Sequence, residues 1–84
     1  MAFDLVFSQE AIYQLKRLDN KTAARIIAKL ESSAKEPLKF FVRLSGREEF
    51  KLRIGDYRAI ANIMQKEKKL FVRTLGHRKN IYKK

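Results

Sequence analysis

Cysteine and tryptophan are absent from the 84 residues, and there is one proline, one histidine and three glycines. Without cysteine, no disulfide reinforces the fold and no thiolate serves as nucleophile, redox centre or metal ligand. A single histidine cannot make the paired imidazoles of a typical zinc site, so no metal is expected. Three glycines are too few, and wrongly spaced, for a loop that cradles a nucleotide phosphate, so no cofactor is expected either. No apolar run approaches the ~20 residues that cross a bilayer. The opening MAFDLVFSQE lacks a basic leader, and Asp4 interrupts its short apolar run. A cytoplasmic protein with no membrane partner is the expectation, and the lack of cysteine fits a reducing compartment.

Acidic residues are also scarce. Nine carboxylates face 20 lysines and arginines, a net charge of +11. The excess is lopsided: residues 1–42 hold 7 basic and 5 acidic side chains, whereas residues 43–84 hold 13 and 4. One reading is a lysine-rich solubilising surface. The other is a face that binds polyanions, because clustered cations release counterions from phosphates and their field steers encounter. A composition that is 45% hydrophobic and 35% charged belongs to a folded chain rather than a disordered one. At this length one domain, 1–84, with one core is expected.

Hydrophobic periodicity predicts the elements. Phe3–Phe7 reads as a strand. Ser8 can cap a following helix whose apolar positions are Ala11, Ile12, Leu15 and Leu18. Asp19-Asn20 offers a turn and a second cap. A second helix over 21–34 carries the stripe Ala23, Ile26, Ile27, Leu30 and Ala34. Lys21, Arg25 and Lys29 recur every four residues on another face, the pattern of a solvated surface. Pro37 is expected to stop this helix. Phe40-Phe41-Val42 then opens a short extended run to Leu44, turned by Ser45-Gly46. Over 47–54 the alternation is regular, with Glu48, Phe50, Leu52 and Ile54 on one face and Arg47, Glu49, Lys51 and Arg53 on the other. Gly55-Asp56 marks a hairpin. Strands follow at Tyr57–Met64 and Lys69–Leu75, broken by Gly76 before a basic tail. The order β-α-α-β-β-β-β predicts an α+β fold, its N-terminal helical hairpin packed on one face of a mostly antiparallel sheet. The other face is left open to carry Lys51 and Arg53.

The chemistry-bearing residues that remain are bases and aromatics: Lys51, Arg53, Tyr57, Arg58, His77, Arg78, Lys79 and Tyr82. Such a set suits RNA, which carries its own nucleophile in the 2′-hydroxyl. Guanidinium groups offer paired donors to phosphate oxygens and offset the charge of a phosphorane. Tyrosine, histidine or lysine can move protons, and aromatic rings stack on splayed bases. Each residue has a plainer reading too. Tyr57 after a tight turn suits a hairpin aromatic, His77 beside Gly76 suits a surface phosphate contact, and Arg73 fits an exposed strand position. Composition alone leaves a ribonuclease, an RNA-binding module and a DNA-binding module open.

The strings RLSG (43–46), FKLRIGDYRAI (50–60) and LGHRKNIY (75–82), behind a β-α-α opening, resemble the RelE/ParE toxin superfamily across nearly the whole chain. The resemblance implies a RelE-like microbial RNase fold and the toxin of a type II toxin–antitoxin system. It implies a toxin that enters the ribosomal A site, against 16S and 23S rRNA, and cuts mRNA by metal-independent 2′-OH attack, leaving a 2′,3′-cyclic phosphate and stopping translation. Carried onto this sequence, Arg58 and Arg78 match the family's phosphate-binding arginines, Lys51 a basic residue on the preceding strand, and Tyr82 the C-terminal tyrosine. In these expected catalytic roles Arg58 contacts the scissile phosphate and Arg78 offsets phosphorane charge. Lys51 assists near the 2′-OH, and Tyr82 stacks a base or positions the 2′-oxygen. Arg53 and Lys79 are expected to hold flanking phosphates, with Arg43, Arg47 and His77 as further RNA contacts. Two departures stand out: the sequence ends two residues after Tyr82, and Glu49 occupies a position that is basic in some members. The resemblance also implies a RelB-type antitoxin partner and a heterotetrameric complex. Rival readings are a ParE-like gyrase inhibitor, which cleaves nothing, and a non-catalytic nucleic-acid-binding module.

Overall fold

The computed structural model describes residues 2–46 and 48–79. Its elements are β1 (Asp4–Phe7), α1 (Gln9–Lys16), α2 (Asn20–Ser33), α3 (Pro37–Phe40), β2 (Val42–Arg43), β3 (Phe50–Ile54), β4 (Tyr57–Met64) and β5 (Lys69–His77). The strands form one sheet in the order β1-β5-β4-β3-β2. β1 runs parallel to β5, and every other neighbouring pair is antiparallel. The α+β architecture expected from the sequence is the one observed.

Both long helices start where the sequence places a cap. Ser8 Oγ accepts the Ala11 amide at 3.0 Å, and Asp19 accepts the Thr22 amide at 3.1 Å and its hydroxyl at 2.6 Å. These bonds satisfy N–H groups that a helix start leaves orphaned. Ala11 of α1 and Ile26 and Leu30 of α2 are fully buried against Leu52, Ile54, Ala59, Ala61, Leu70, Val72 and Leu75. The helices therefore cover one face of the sheet. Lys51 and Arg53, alternating with the buried Leu52 and Ile54, project from the other.

Three local departures from the expected pattern matter for the site. Pro37 does not merely end α2, which has already capped at Ala34; it stands at the first position of α3, where its missing N–H costs nothing. The extended run after it shrinks to Val42–Arg43. β5 also continues through Gly76 to His77, because Arg58 and Tyr57 of β4 hold it in register. Among the described residues no helix is long and apolar enough to cross a membrane.

Two irregularities shape the sheet edges. Ile60 pairs with Thr74 while Ala61 pairs with Val72, so Arg73 is an extra residue bulged from β5. β1 stops at Phe7, and α1 closes the rest of that edge with side chains. Ser8 donates its hydroxyl to Arg73 O at 2.5 Å, and Gln14 Oε1 accepts the Leu75 amide at 2.7 Å. At the opposite edge β2 pairs only with Phe50 and Lys51 of β3. Leu52–Ile54 thus have no strand neighbour on that side among the described residues.

Candidate functional site

The unpartnered stretch of β3 borders a cleft of about 360 Å³ lined by Lys29, Phe40, Val42, Lys51, Leu52, Arg53 and Arg58. Four of these seven side chains are cationic and none is acidic. Two strands supply most of the charge. Arg53 and Arg58 are direct cross-strand partners, and Lys51 lies two residues along β3 on the same face, opposite Ile60. Side chains so paired stand about 5 Å apart at Cβ, where like charges repel. An anion bound between them would offset that repulsion.

The β3–β4 hairpin keeps these residues in place. Gly55 has φ +61°, which a side chain would strain, and Arg53 Nε donates to Gly55 O at 3.3 Å. A Cβ on Gly55 would lie 2.9 Å from Arg25 Nη2, so the α2 guanidinium packs directly over this turn. Arg78, immediately after β5, donates its amide to Asp56 O at 2.8 Å. Arg25, Arg53 and Arg78 therefore converge on one two-residue turn. The amide bond holds Arg78 two residues beyond Gly76, the β5 partner of Arg58.

The expected site residues divide as follows. Lys51, Arg53 and Arg58 share the cleft, Arg78 is tied by its amide to the hairpin turn, and Lys79 lies with its amide against His77. His77 pairs with Tyr57, so it stands on the helix-covered side of the sheet. Its ring meets Tyr57 edge-on with centroids 5.6 Å apart. His77 Nδ1 accepts the Lys79 amide at 3.3 Å, which steadies the Arg78–Lys79 turn. Arg43 pairs with Phe50 and so faces away from Lys51. Arg47 and Tyr82 lie outside the described residues. Glu49 pairs with Arg73 Nε at 3.6 Å, and Arg73 also donates to Asn62 Oδ1 at 3.2 Å.

Lys29, Phe40 and Val42 were not expected here. The Lys21/Arg25/Lys29 spacing predicts a solvated row, yet Lys29 lines the cleft. The sequence predicts one extended run over Phe40 and Val42, whereas α3 turns Phe41 into the core and Phe40 out to the cleft. A second, larger groove of about 600 Å³ crosses β1, β5 and β4 on the open sheet face, lined by Val6, Met64, Phe71, Arg73 and their neighbours.

Residues 5–82 match the family described as ParE toxin of type II toxin–antitoxin system, parDE. No curated protein matches the chain. Among solved structures, the RelBE2 toxin–antitoxin complex of Mycobacterium tuberculosis contains a chain similar in fold, with TM-score 0.83, 21% identity and 93% of each chain covered. A chain of the archaeal RelE–RelB complex of Pyrococcus horikoshii OT3 gives TM-score 0.79 at 23% identity, covering 95% of this chain and 99% of that one. The intact RelBE complex of E. coli gives 0.75 at 22% identity, covering 90% and 96%.

Proposed function

The chain belongs to the family of ParE toxins of type II toxin–antitoxin systems, and from that premise we propose that it works in the RelE manner, as an endoribonuclease that cuts mRNA in the ribosomal A site. The observation that carries this reading is the Arg53–Arg58 cross-strand pair, with Lys51 beside it and Arg78 held at the adjoining turn. A protein that only grips another protein has no need of three cations grouped on one face of a hairpin.

In the proposed reaction the 2′-oxygen of one nucleotide attacks the adjacent phosphorus in line with the 5′-oxygen of the next. A 2′,3′-cyclic phosphate forms and the P–O5′ bond breaks; the 2′-hydroxyl proton passes to solvent water, and the leaving 5′-oxygen takes a proton from water. The negative charge that builds on the non-bridging oxygens is offset by Arg58 and Arg78. Lys51, on the strand beside them, favours loss of the 2′-hydroxyl proton through its positive charge. Arg53 and Lys79 hold neighbouring phosphates, and Tyr82 serves the 2′-oxygen or an adjacent base. No step needs a metal or cofactor.

The same reading supplies an antitoxin partner of the RelB type, in a heterotetramer. The solved neighbours named above are RelB–RelE complexes. A chain of net charge +11 complements an acidic segment, and the larger groove across β1, β5 and β4 offers that segment an apolar floor.

The test is mRNA cleavage on programmed ribosomes with an empty A site, comparing wild type, Arg58→Ala and Arg78→Ala at equal folded fraction. Wild type should release a fragment ending in a 2′,3′-cyclic phosphate, and each variant should lose about 100-fold in rate, the size of one lost transition-state charge contact. The family's ParE description favours a second outcome. No cleavage by folded, antitoxin-free protein, together with inhibition of gyrase supercoiling, would replace the ribonuclease reading with that one.

A further inference from the structure

The cleft beside β3 is charged at one end and apolar at the other, and the catalytic proposal uses only the charged end. Phe40 and Val42 are 41% and 59% exposed, large apolar side chains left in water beside four cations. Their position follows from α3. Pro37 starts one helical turn, that turn buries Phe41 to 5% exposure, and its neighbour Phe40 is thereby directed outward. Lys29 of α2 reaches across, its Nζ 5.8 Å from the centre of the Phe40 ring. Val42 is the register partner of Lys51 and shares its sheet face, and Phe40 lines the same cleft as Lys51, Arg53 and Arg58.

We propose that Phe40, with Lys29 above it, is a base-stacking subsite for the nucleotide flanking the scissile phosphate. This rests on the ribonuclease reading and extends it. A ring with a planar face accepts any base, and a cation over the stack can bond a base carbonyl or the adjoining phosphate. The chemistry selects a nucleotide over an acidic peptide. An aspartate or glutamate would satisfy the cations but leave Phe40 in water, whereas a nucleotide has both an anion and a flat apolar face. The cleft volume of about 360 Å³ lies within the range of small-ligand sites. The subsite would also bias which bases flank the cut, since purines stack more strongly than pyrimidines.

The experiment uses a short RNA with 2-aminopurine beside a 2′-deoxy nucleotide at the cut position, which blocks cleavage there. Stacking quenches 2-aminopurine fluorescence. Wild type, Phe40→Leu, Phe40→Trp and Lys29→Gln are titrated against it, and the same proteins are assayed for ribosomal cleavage of ordinary mRNA. Phe40 is exposed, so all variants should keep the wild-type melting temperature. Phe40→Leu should lose the quench and bind about tenfold more weakly, Phe40→Trp should keep both, and Lys29→Gln should retain part of the quench with weaker binding. Cleavage by wild type with an unchanged quench in Phe40→Leu would overturn the subsite and leave the ribonuclease reading intact. A Phe40-dependent quench without cleavage by wild type would do the reverse. Weaker antitoxin binding by Phe40→Leu with unchanged RNA binding would make this face a protein contact and refute the proposal, as would no quench by wild type.

Discussion

Replacing Ser8 with alanine should cost more than an ordinary helix cap, because one hydroxyl serves two elements. Its oxygen accepts the Ala11 amide at 3.0 Å and starts α1, while its proton goes to the carbonyl of Arg73 at 2.5 Å, the bulged residue of β5. Loss of the cap costs about 1 kcal/mol. Loss of a net hydrogen bond to a strand carbonyl that no β1 residue reaches adds about 1 kcal/mol. The sum, about 2 kcal/mol, corresponds to roughly 8–16 °C in melting temperature for a domain of this size. Ser8→Asp separates the two roles: an ionised aspartate still caps the helix but has no proton for Arg73, so it should lose about half as much. Ser8→Thr should lose little. Thermal unfolding gives the magnitudes, and amide exchange at Thr74 and Leu75 should quicken in the alanine and aspartate variants only. An alanine variant within about 0.5 kcal/mol of wild type would refute the reasoning, the range of a surface change with no structural role. Equal stability of wild type and Ser8→Asp would show that the bond to the bulge contributes nothing.

The same edge predicts that Gln14→Leu destabilises by about 1–3 kcal/mol in urea unfolding, since the Leu75 amide loses its acceptor at 2.7 Å in a nearly buried place. Gly55→Ala should cost about 1–2 kcal/mol from its φ of +61°, and Arg25→Ala should relieve only the 2.9 Å clash, not that strain. The Asp19 carboxyl is held below its ordinary 3.8 by the Thr22 hydroxyl and then the Thr22 amide. Its folded-state value being the lower one, its contribution is complete above about pH 4 and fades as pH falls through the depressed value; Asp19→Asn should flatten that acid limb in a melting-temperature profile. A Lys51→Gln/Arg53→Gln double variant should reduce the log–log salt slope of single-stranded RNA binding by about 1.4, measured by anisotropy across a potassium chloride series. Weaker affinity with an unchanged slope would show that neither side chain meets a phosphate.

Much of this was legible along the chain because it depends on neighbours within a few residues. The strict alternation from Phe50 to Ile54 assigns Leu52 to the core and Lys51 and Arg53 to the opposite face by the pleat alone. Ser8 and Asp19 cap their helices as their side-chain chemistry dictates. Gly55-Asp56 turns the hairpin and so sets Arg53 opposite Arg58. The loading of positive charge into residues 43–84 was visible before any strand was paired, and three of the four cations in the cleft come from that half.

What only the tertiary structure decided are the meetings between segments distant in sequence. β1 lies parallel to β5 although more than sixty residues separate them, a pairing that no local signal in either strand announces. Arg73 bulges because α1, rather than a longer β1, closes that edge, and Ser8 and Gln14 supply the polar atoms a strand would have given. His77 and Arg78 are adjacent in sequence, yet His77 goes to the Tyr57 face while Arg78 is tied to the hairpin turn. Lys29 and Phe40 enter the cleft because β2 is two residues long and leaves the edge of β3 uncovered. Periodicity says which side of an element is apolar. Where its polar side ends up depends on which elements pack beside it, and that is fixed by the burial of a shared core.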